Sequence, residues 1–405
     1  MRILFSAFSA YSPFGSESLV GRHYAEVLGR RHTLSVITCA PTDVTTAMPG
    51  VRSVHAIDLG GGQFNEVARS GLLAFELRQW RPASRARRAG IDLIHRVNPC
   101  SINDPTFLAF VNKPLVIGPV LSSTPAPESF REVLWREIRR FKIEATLMEK
   151  LRPSDRLARL VFGPMMRSWT HFKKARTIIV GSSVTMDDIP EHLHGRCTPI
   201  VYAGVEHGVF TPPAEGAPRH SKGLTRLLFV GRLIPNKAIE LLLRACGRLR
   251  ARHDFELTVV GRSRPWYGAF LGSVIEEERL GDRVRIIEGM PRADLVTLYR
   301  EHDIFCFPSI GDTYGIALLE AMSSEMAVLV SDLGGPGEIA GEAAVRVPVV
   351  TPDQWVADAA SALGGLIENP ARRAELGRAA RARILERHDW GKIGARLEEI
   401  YAGLP

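Results

Sequence analysis

No stretch of 18 apolar residues occurs in the 405-residue chain, which excludes a bilayer-spanning helix within it. Cysteine is sparse. The five, at positions 39, 100, 197, 246 and 306, are odd in number and form no C-x-x-C pair, so neither a disulfide framework nor a zinc site is expected, and a reducing cytoplasm fits. A G-x-G-x-x-G turn is also missing, which makes a dinucleotide cofactor a poor reading. With no D-x-D in a plausible loop and no His/Cys cluster, no metal site is expected either. The opening MRILFSAFSAYSPFG has too short an apolar stretch for a secretory leader and reads as a first strand. A basic excess is absent from most of the chain. Residues 131–176 hold 13 Lys/Arg against 5 Asp/Glu, and the rest carries 39 of each, so the net charge of +8 belongs to one segment.

What is present is the composition of an α/β protein too long for one core: 45% hydrophobic, 24% charged, 36 glycines. Short apolar runs alternate with longer amphipathic ones, the pattern of βαβ units and parallel sheets. RILFSAF (2–8), LSVIT (34–38), LIH (93–95), LVIG (115–118) and TIIVGS (177–182) form one series of strand candidates. RLLFVGR (226–232), ELTVVG (256–261), RVRIIEG (283–289), IFCFPS (304–309) and AVLVSD (327–332) form a second. Gly, Pro and charge dominate the stretch between them. The expected organisation is two Rossmann-like doubly wound domains facing across a cleft, 1–205 and 224–387, joined by a linker at 206–223. A final helix within 388–405 would pack back on the first domain. Ligands of such sheets sit at the carboxyl ends of the strands.

FPSIGDTYGIALLEAM (307–322) carries the most chemistry. Glu320 lies in a helix apolar on every side, and a buried carboxylate needs a partner. Asp312, eight positions earlier, suits a helix cap as well as a ligand. The free N–H groups near Gly315–Ala317 would make an anion site. From Asp312 to Glu320 such a helix covers about 12 Å, comparable to a nucleoside diphosphate sugar. In FVGRLIPNKAIELLLRA (229–245), Arg232 and Lys237 set two cations where a strand ends and a helix begins, suited to a leaving diphosphate. In SAYSPFGSESLVGRHYAEVL (9–28), Gly15 would allow close backbone approach to a ligand.

These segments resemble, in order along nearly the whole chain, those of family-4 retaining glycosyltransferases with the GT-B fold. The acidic-x7-Glu stretch ending in Glu320 is similar to the family's E-x7-E signature, and VGRLIPNKAIELLL to its G-R-L…K segment. VYAGVEHGVFTP (201–212) resembles its N-G-V-D segment, DLIHRVNP (92–99) its D-[IV]-[IV]-H strand, and ERHDWGKIGARLEEIY (386–401) its closing W…Y helix. The resemblance implies that Arg232 and Lys237 hold the diphosphate, Glu320 the ribose, and Asp312 the donor sugar. Gly15 and Ser16 would close on the donor, and Tyr314, Gly315 and Ile316 form the helix entry beside it. His95 and Glu17 are candidates for the cleft or acceptor. It departs from the family at Asp312 (usually Glu), Ser16 (usually Gly), Ala238 (usually Gly) and Gly118–Pro119, where many members carry a His.

The implied activity is transfer of a sugar, with retention and without a metal, from a nucleotide diphosphate donor, a UDP-sugar ahead of a GDP-sugar. The acceptor would be a glycan or a lipid-linked molecule, and no cofactor is needed. A sugar-nucleotide epimerase or a non-catalytic nucleotide-sugar-binding protein of the same fold remains an alternative. Residues 131–176 mix cations with Leu134, Trp135, Phe141, Leu160, Phe162, Met165, Met166, Trp169 and Phe172. They read either as helices covering the first domain or as an amphipathic surface for anionic lipid at the inner face of a membrane. Nucleic acid has no supporting motif.

Overall fold

The structure, a computed structural model, describes residues 1–11, 16–59, 69–122, 125–132, 153–214 and 224–404. Among these, residues within 1–122, 148–203 and 390–405 form one compact unit, and those within 123–147 and 204–389 a second.

The first unit is built on strands β1 (Arg2–Ala7), β2 (Thr33–Cys39), β3 (Val51–Ile57), β4 (Leu93–Asn98), β5 (Leu115–Val120), β6 (Thr177–Val180) and β7 (Cys197–Pro199). Every pair is parallel, in the order β3-β2-β1-β4-β5-β6-β7. The central strands are buried along almost their whole length, because crossover helices cover both faces of such a sheet. Leu4, Ile37, Ile94, Ile117 and Ile178 supply its core. Winding reverses between β1 and β4. The helix Trp390–Ala402 completes the unit. Its Gly394 lies so close to the helix Ser16–Gly29 that a Cβ would stand 2.3 Å from Val27 Cγ1, and Trp390 stacks on His23 with centroids 4.7 Å apart.

The second unit has β8 (Thr225–Val230), β9 (Phe255–Val260), β10 (Val284–Ile287), β11 (Ile304–Phe307), β12 (Ala327–Asp332) and β13 (Val345–Pro348), all parallel in the order β10-β9-β8-β11-β12-β13. Here the reversal falls between β8 and β11. Leu227, Phe229, Leu257, Val259, Cys306 and Leu329 pack with Leu242, Trp355 and Leu363. The buried indole of Trp355 donates to Ser331 Oγ at 3.1 Å, which satisfies its one polar atom. Both units are thus doubly wound α/β sheets, the GT-B fold class.

Two stretches lie elsewhere than their position in sequence implied. Residues 206–214, expected within a linker, pack with the second unit: Phe210 is fully buried, and its carbonyl accepts from Ser323 Oγ at 2.7 Å. Phe130, expected in the first domain, sits in the second unit's core, because its ring finds apolar partners there. Of the basic segment, 133–152 fall outside the described residues, including Leu134, Trp135 and Phe141. In the remainder, helices Pro153–Ser168 and Thr170–Lys174 bury Phe162 and Phe172 and lean Met166 and Trp169 on the first unit's core, whereas Leu160 is 73% exposed. Among the described residues no helix is long and apolar enough to cross a membrane.

Candidate functional site

In a doubly wound sheet the crevice for ligands opens at the carboxyl ends of the two strands where winding reverses. In the second unit these are β8 and β11, and the chain leaving each carries the residues singled out above. After β8, Arg232 is exposed, and a short turn Pro235–Lys237 brings Lys237 into the fold, where it is buried. Ala238 follows in the left-handed region (φ 49°, ψ 41°). Glycine is strain-free there, and an L-residue bears a cost of about 1–2 kcal/mol.

After β11, the chain is knitted to that turn by three bonds. Ser309 Oγ donates to Asn236 O at 3.0 Å, Ile310 N to the same oxygen at 2.9 Å, and Asn236 Nδ2 to Gly311 O at 3.1 Å. The lattice of bonds places Asp312 against Lys237, and the two form an ion pair. The Lys237 ammonium also stands 5.1 Å from the centre of the Phe307 ring. Tyr314 is buried, its hydroxyl 3.0 Å from His388 Nδ1. Gly315 then enters the helix Ile316–Ser323 at φ 148°, a conformation that L side chains rarely adopt. Ile316, half-buried, and Ala317 begin that helix, whose first amides have no intrahelical acceptor.

Glu320 has its partners. Arg292 bonds Oε1 through Nε at 3.0 Å and Nη2 at 3.0 Å, and Tyr299 donates its hydroxyl to Oε2 at 3.0 Å. Burial raises the Glu320 carboxyl, and Arg292 and Tyr299 work against that rise. On Arg292 burial opposes the charge, but Glu320 and Glu206 outweigh it and its pKa goes up. Neither Arg292 nor Tyr299 was singled out in the sequence, since both belong to a separate amphipathic helix, Arg292–Glu301, and only tertiary packing brings them to Glu320.

In the first unit Gly15 lies outside the described residues, as does the side chain of Ser16, the first residue of its helix. Glu17 is engaged by the protein: Oε1 accepts from the Cys100 amide at 2.6 Å. Asn98, at the end of β4, bridges to the end of β1 by accepting from Ser9 N at 2.9 Å and donating to Ser9 O at 2.8 Å. His95 is fully buried. Its Nε2 lies 2.7 Å from Gly118 O and its Nδ1 2.5 Å from the Tyr401 hydroxyl, so both ring nitrogens are spent within the unit. Burial takes its pKa down to about 4, against the pull of the Gly118 carbonyl. That geometry makes His95 an anchor for the closing helix and presents no ring atom to a ligand.

A groove of about 510 Å³ lies at the opposite, amino-terminal edge of the second sheet, lined by Arg226, Glu256, Arg283, Arg285 and His302 among others. Its charges are of both signs, and Arg226 reaches Glu256 at 4.0 Å.

Two cations and an open helix N-terminus at the reversal point of a doubly wound sheet define a unit suited to a phosphate-bearing ligand. Residues 215–383 match the family model described as Glycosyl transferases group 1. A D-inositol 3-phosphate glycosyltransferase from Streptosporangium roseum is 33% identical over 225 residues, 50% of this chain and 49% of that protein. An MMP alpha-(1->4)-mannosyltransferase from Mycolicibacterium hassiacum is 28% identical over 254 residues, 59% of this chain and 58% of that one. The chain thus spans about half the length of the curated relatives it matches. Among solved structures, the sucrose-phosphate synthase of Thermosynechococcus elongatus aligns at TM-score 0.68 and 20% identity, over 100% of this chain and 99% of the other. Anabaena HepE, in complex with UDP, aligns at 0.69 and 17% over 100% of both. At these identities the structural likeness speaks for the fold.

Proposed function

We propose that the protein is a retaining, metal-independent glycosyltransferase that moves a sugar from a nucleotide diphosphate donor to a hydroxyl of a glycan or lipid-linked acceptor. The observation that carries this reading is the convergence of Lys237, Asp312 and the open end of the helix Ile316–Ser323 at the reversal point of the second sheet, with Arg232 on the strand end beside them. Arg232, Lys237 and the helix amides would hold the diphosphate, Glu320 the ribose and Asp312 the sugar. As the bond from the sugar's anomeric carbon to the phosphate oxygen breaks, negative charge grows on the diphosphate, and fixed cations stabilise it most at that moment. The acceptor oxygen bonds the same face of that carbon, and its proton passes to the departing phosphate oxygen. The Lys237–Asp312 pair holds the two groups near one another, so diphosphate and sugar contacts are linked. UDP is the preferred nucleotide, in keeping with the UDP held by the Anabaena neighbour. A lipid-linked acceptor agrees with a phosphatidyl-myo-inositol mannosyltransferase among the relatives.

Delivery of such an acceptor from an anionic membrane surface has support in the first unit. Leu160 and Val161 on Pro153–Ser168, and Leu77 and Trp80 on Arg69–Arg88, are exposed apolar side chains on two helices that pack together. Exposed Arg81, Arg85, Arg88, Lys173 and Lys174 belong to the same unit, and each cation held near an anionic surface contributes about 1 kcal/mol.

The test offers labelled UDP- and GDP-sugars to the full chain, with and without vesicles containing phosphatidylglycerol. Expected are transfer or hydrolysis of the donor with the anomeric configuration kept, and vesicle binding that falls with salt. Epimerised donor would make the protein an epimerase, and binding without turnover a silent nucleotide-sugar receptor. Absence of vesicle binding at low salt would remove the membrane from the reading.

A further inference from the structure

Arg292 follows Pro291 at the start of the helix Arg292–Glu301, and its guanidinium is held on three sides. Nε and Nη2 both reach Glu320 Oε1 at 3.0 Å, Nη1 pairs with Glu206, and the plane lies 4.7 Å from the centre of the Phe210 ring. Tyr299, two turns further along the same helix, donates to Glu320 Oε2. One helix face therefore supplies both donors that meet this carboxylate. An ionised carboxylate offers about four acceptor positions. Arg292 meets Oε1 by a hydrogen bond from Nε and an ion-pair contact from Nη2, and Tyr299 takes one position on Oε2, leaving one on Oε2 unspent.

We propose that Arg292 is a positioning residue for nucleotide recognition: with Tyr299 it pins Glu320 so that Oε2 keeps one acceptor position for a ribose hydroxyl. The inference rests on the reading of Glu320 as the ribose ligand. Three features favour it over a purely structural pair. A buried ion pair contributes little net stability compared with apolar residues of the same volume, so an ionic pair in an otherwise apolar helix calls for another use. The Arg fork fixes direction as well as charge, which a lysine's single ammonium does not. Phe210 and Glu206 further restrain the guanidinium, so the carboxylate is aimed by a group that is itself held by other contacts.

The charged and titratable groups facing Glu320 are Arg292 and Tyr299 from that helix and Glu206 from the segment opening the second unit. On the helix Pro370–Arg387, Arg381 is turned to backbone, the carbonyls of Ser323 and Phe210. Among the described residues Arg292 is the one cation facing the carboxylate, opposed by burial and Glu206. Without it the Glu320 carboxyl rises further, since Arg292 is the largest influence holding it down.

The test is calorimetric titration of the full chain with UDP and GDP, each beside its 2′-deoxy form, between pH 6 and 8. The wild type is expected to favour the ribonucleotide by about tenfold, the worth of one hydrogen bond to a charged group, with little pH dependence. Glu320→Gln and Arg292→Gln should both abolish that preference. Arg292→Gln should also bind more weakly as pH falls, because the carboxyl it leaves behind gains a proton. Arg292→Lys, which keeps the charge without the fork, should bind at wild-type pH dependence but lose most of the preference, and it decides the matter if Arg292→Gln does not fold. If Glu320→Gln loses the preference while both Arg292 variants keep it, the proposal is overturned and the ribose reading stands. If Glu320→Gln keeps it, or neither nucleotide binds the wild type, the ribose reading fails and the proposal with it.

Discussion

Lys237→Ala lowers kcat/KM for the donor by about 10²–10³-fold, the usual loss when one fixed group that stabilises developing charge is removed. Lys237 is the buried cation of the site, held against Asp312 and over the Phe307 ring, so its charge needs little rearrangement as the diphosphate departs. The loss should fall mainly in kcat, because the charge on the leaving group is larger in the transition state than in the bound donor. Arg232→Ala, at an exposed position, should cost less. Steady-state kinetics beside thermal melting separates this from misfolding: turnover should collapse while the melting temperature moves modestly. Turnover at the parent rate would place the chemistry away from the switch point of the second sheet.

Glu320→Gln weakens nucleotide binding by about 10- to 150-fold, corresponding to about 1.5–3 kcal/mol for a hydrogen bond to a charged group. The substitution keeps volume but removes the charge that Arg292 faces, and Tyr299 loses a charged acceptor. Stability should therefore fall together with affinity, by a comparable amount, and denaturant unfolding would register it. Unchanged nucleotide affinity would leave Glu320 as a buried ion-pair partner and nothing more.

The contrast between these two residues shows what the sequence discloses. Lys237 and Asp312 stand at the ends of apolar strands, β8 and β11, and a strand end followed by a helix is legible as a linear pattern. Their mutual pairing depends on the neighbouring order of those strands and on the bonds that knit the two turns together. Glu320 was visible as a carboxylate out of place, but its partner was not: Arg292 is a surface-like residue at the start of an ordinary amphipathic helix, and only the packing of that helix against Ile316–Ser323 reveals its use. His95, a cleft candidate only through the resemblance, is met by Tyr401 of the closing helix and fully buried. Edge strands were the other loss. Val51–Ile57 is buried only at its two ends and mostly exposed between them, and Cys197–Pro199 is three residues long, so neither has the continuous apolar run that marked the central strands. In the basic segment, Phe162 and Phe172 belong to the core while Leu160 does not, a distinction that hydrophobicity alone does not make.

Amide hydrogen exchange of the full chain with and without UDP locates the ligand without presupposing any residue's role. If the β8 and β11 ends of the second sheet hold the nucleotide, protection should concentrate in 231–238 and 312–320, including the amides of Ile316 and Ala317 that have no intrahelical acceptor. Protection confined instead to the amino-terminal groove around Arg226, Arg283 and His302, or no protection at saturating UDP, would contradict it.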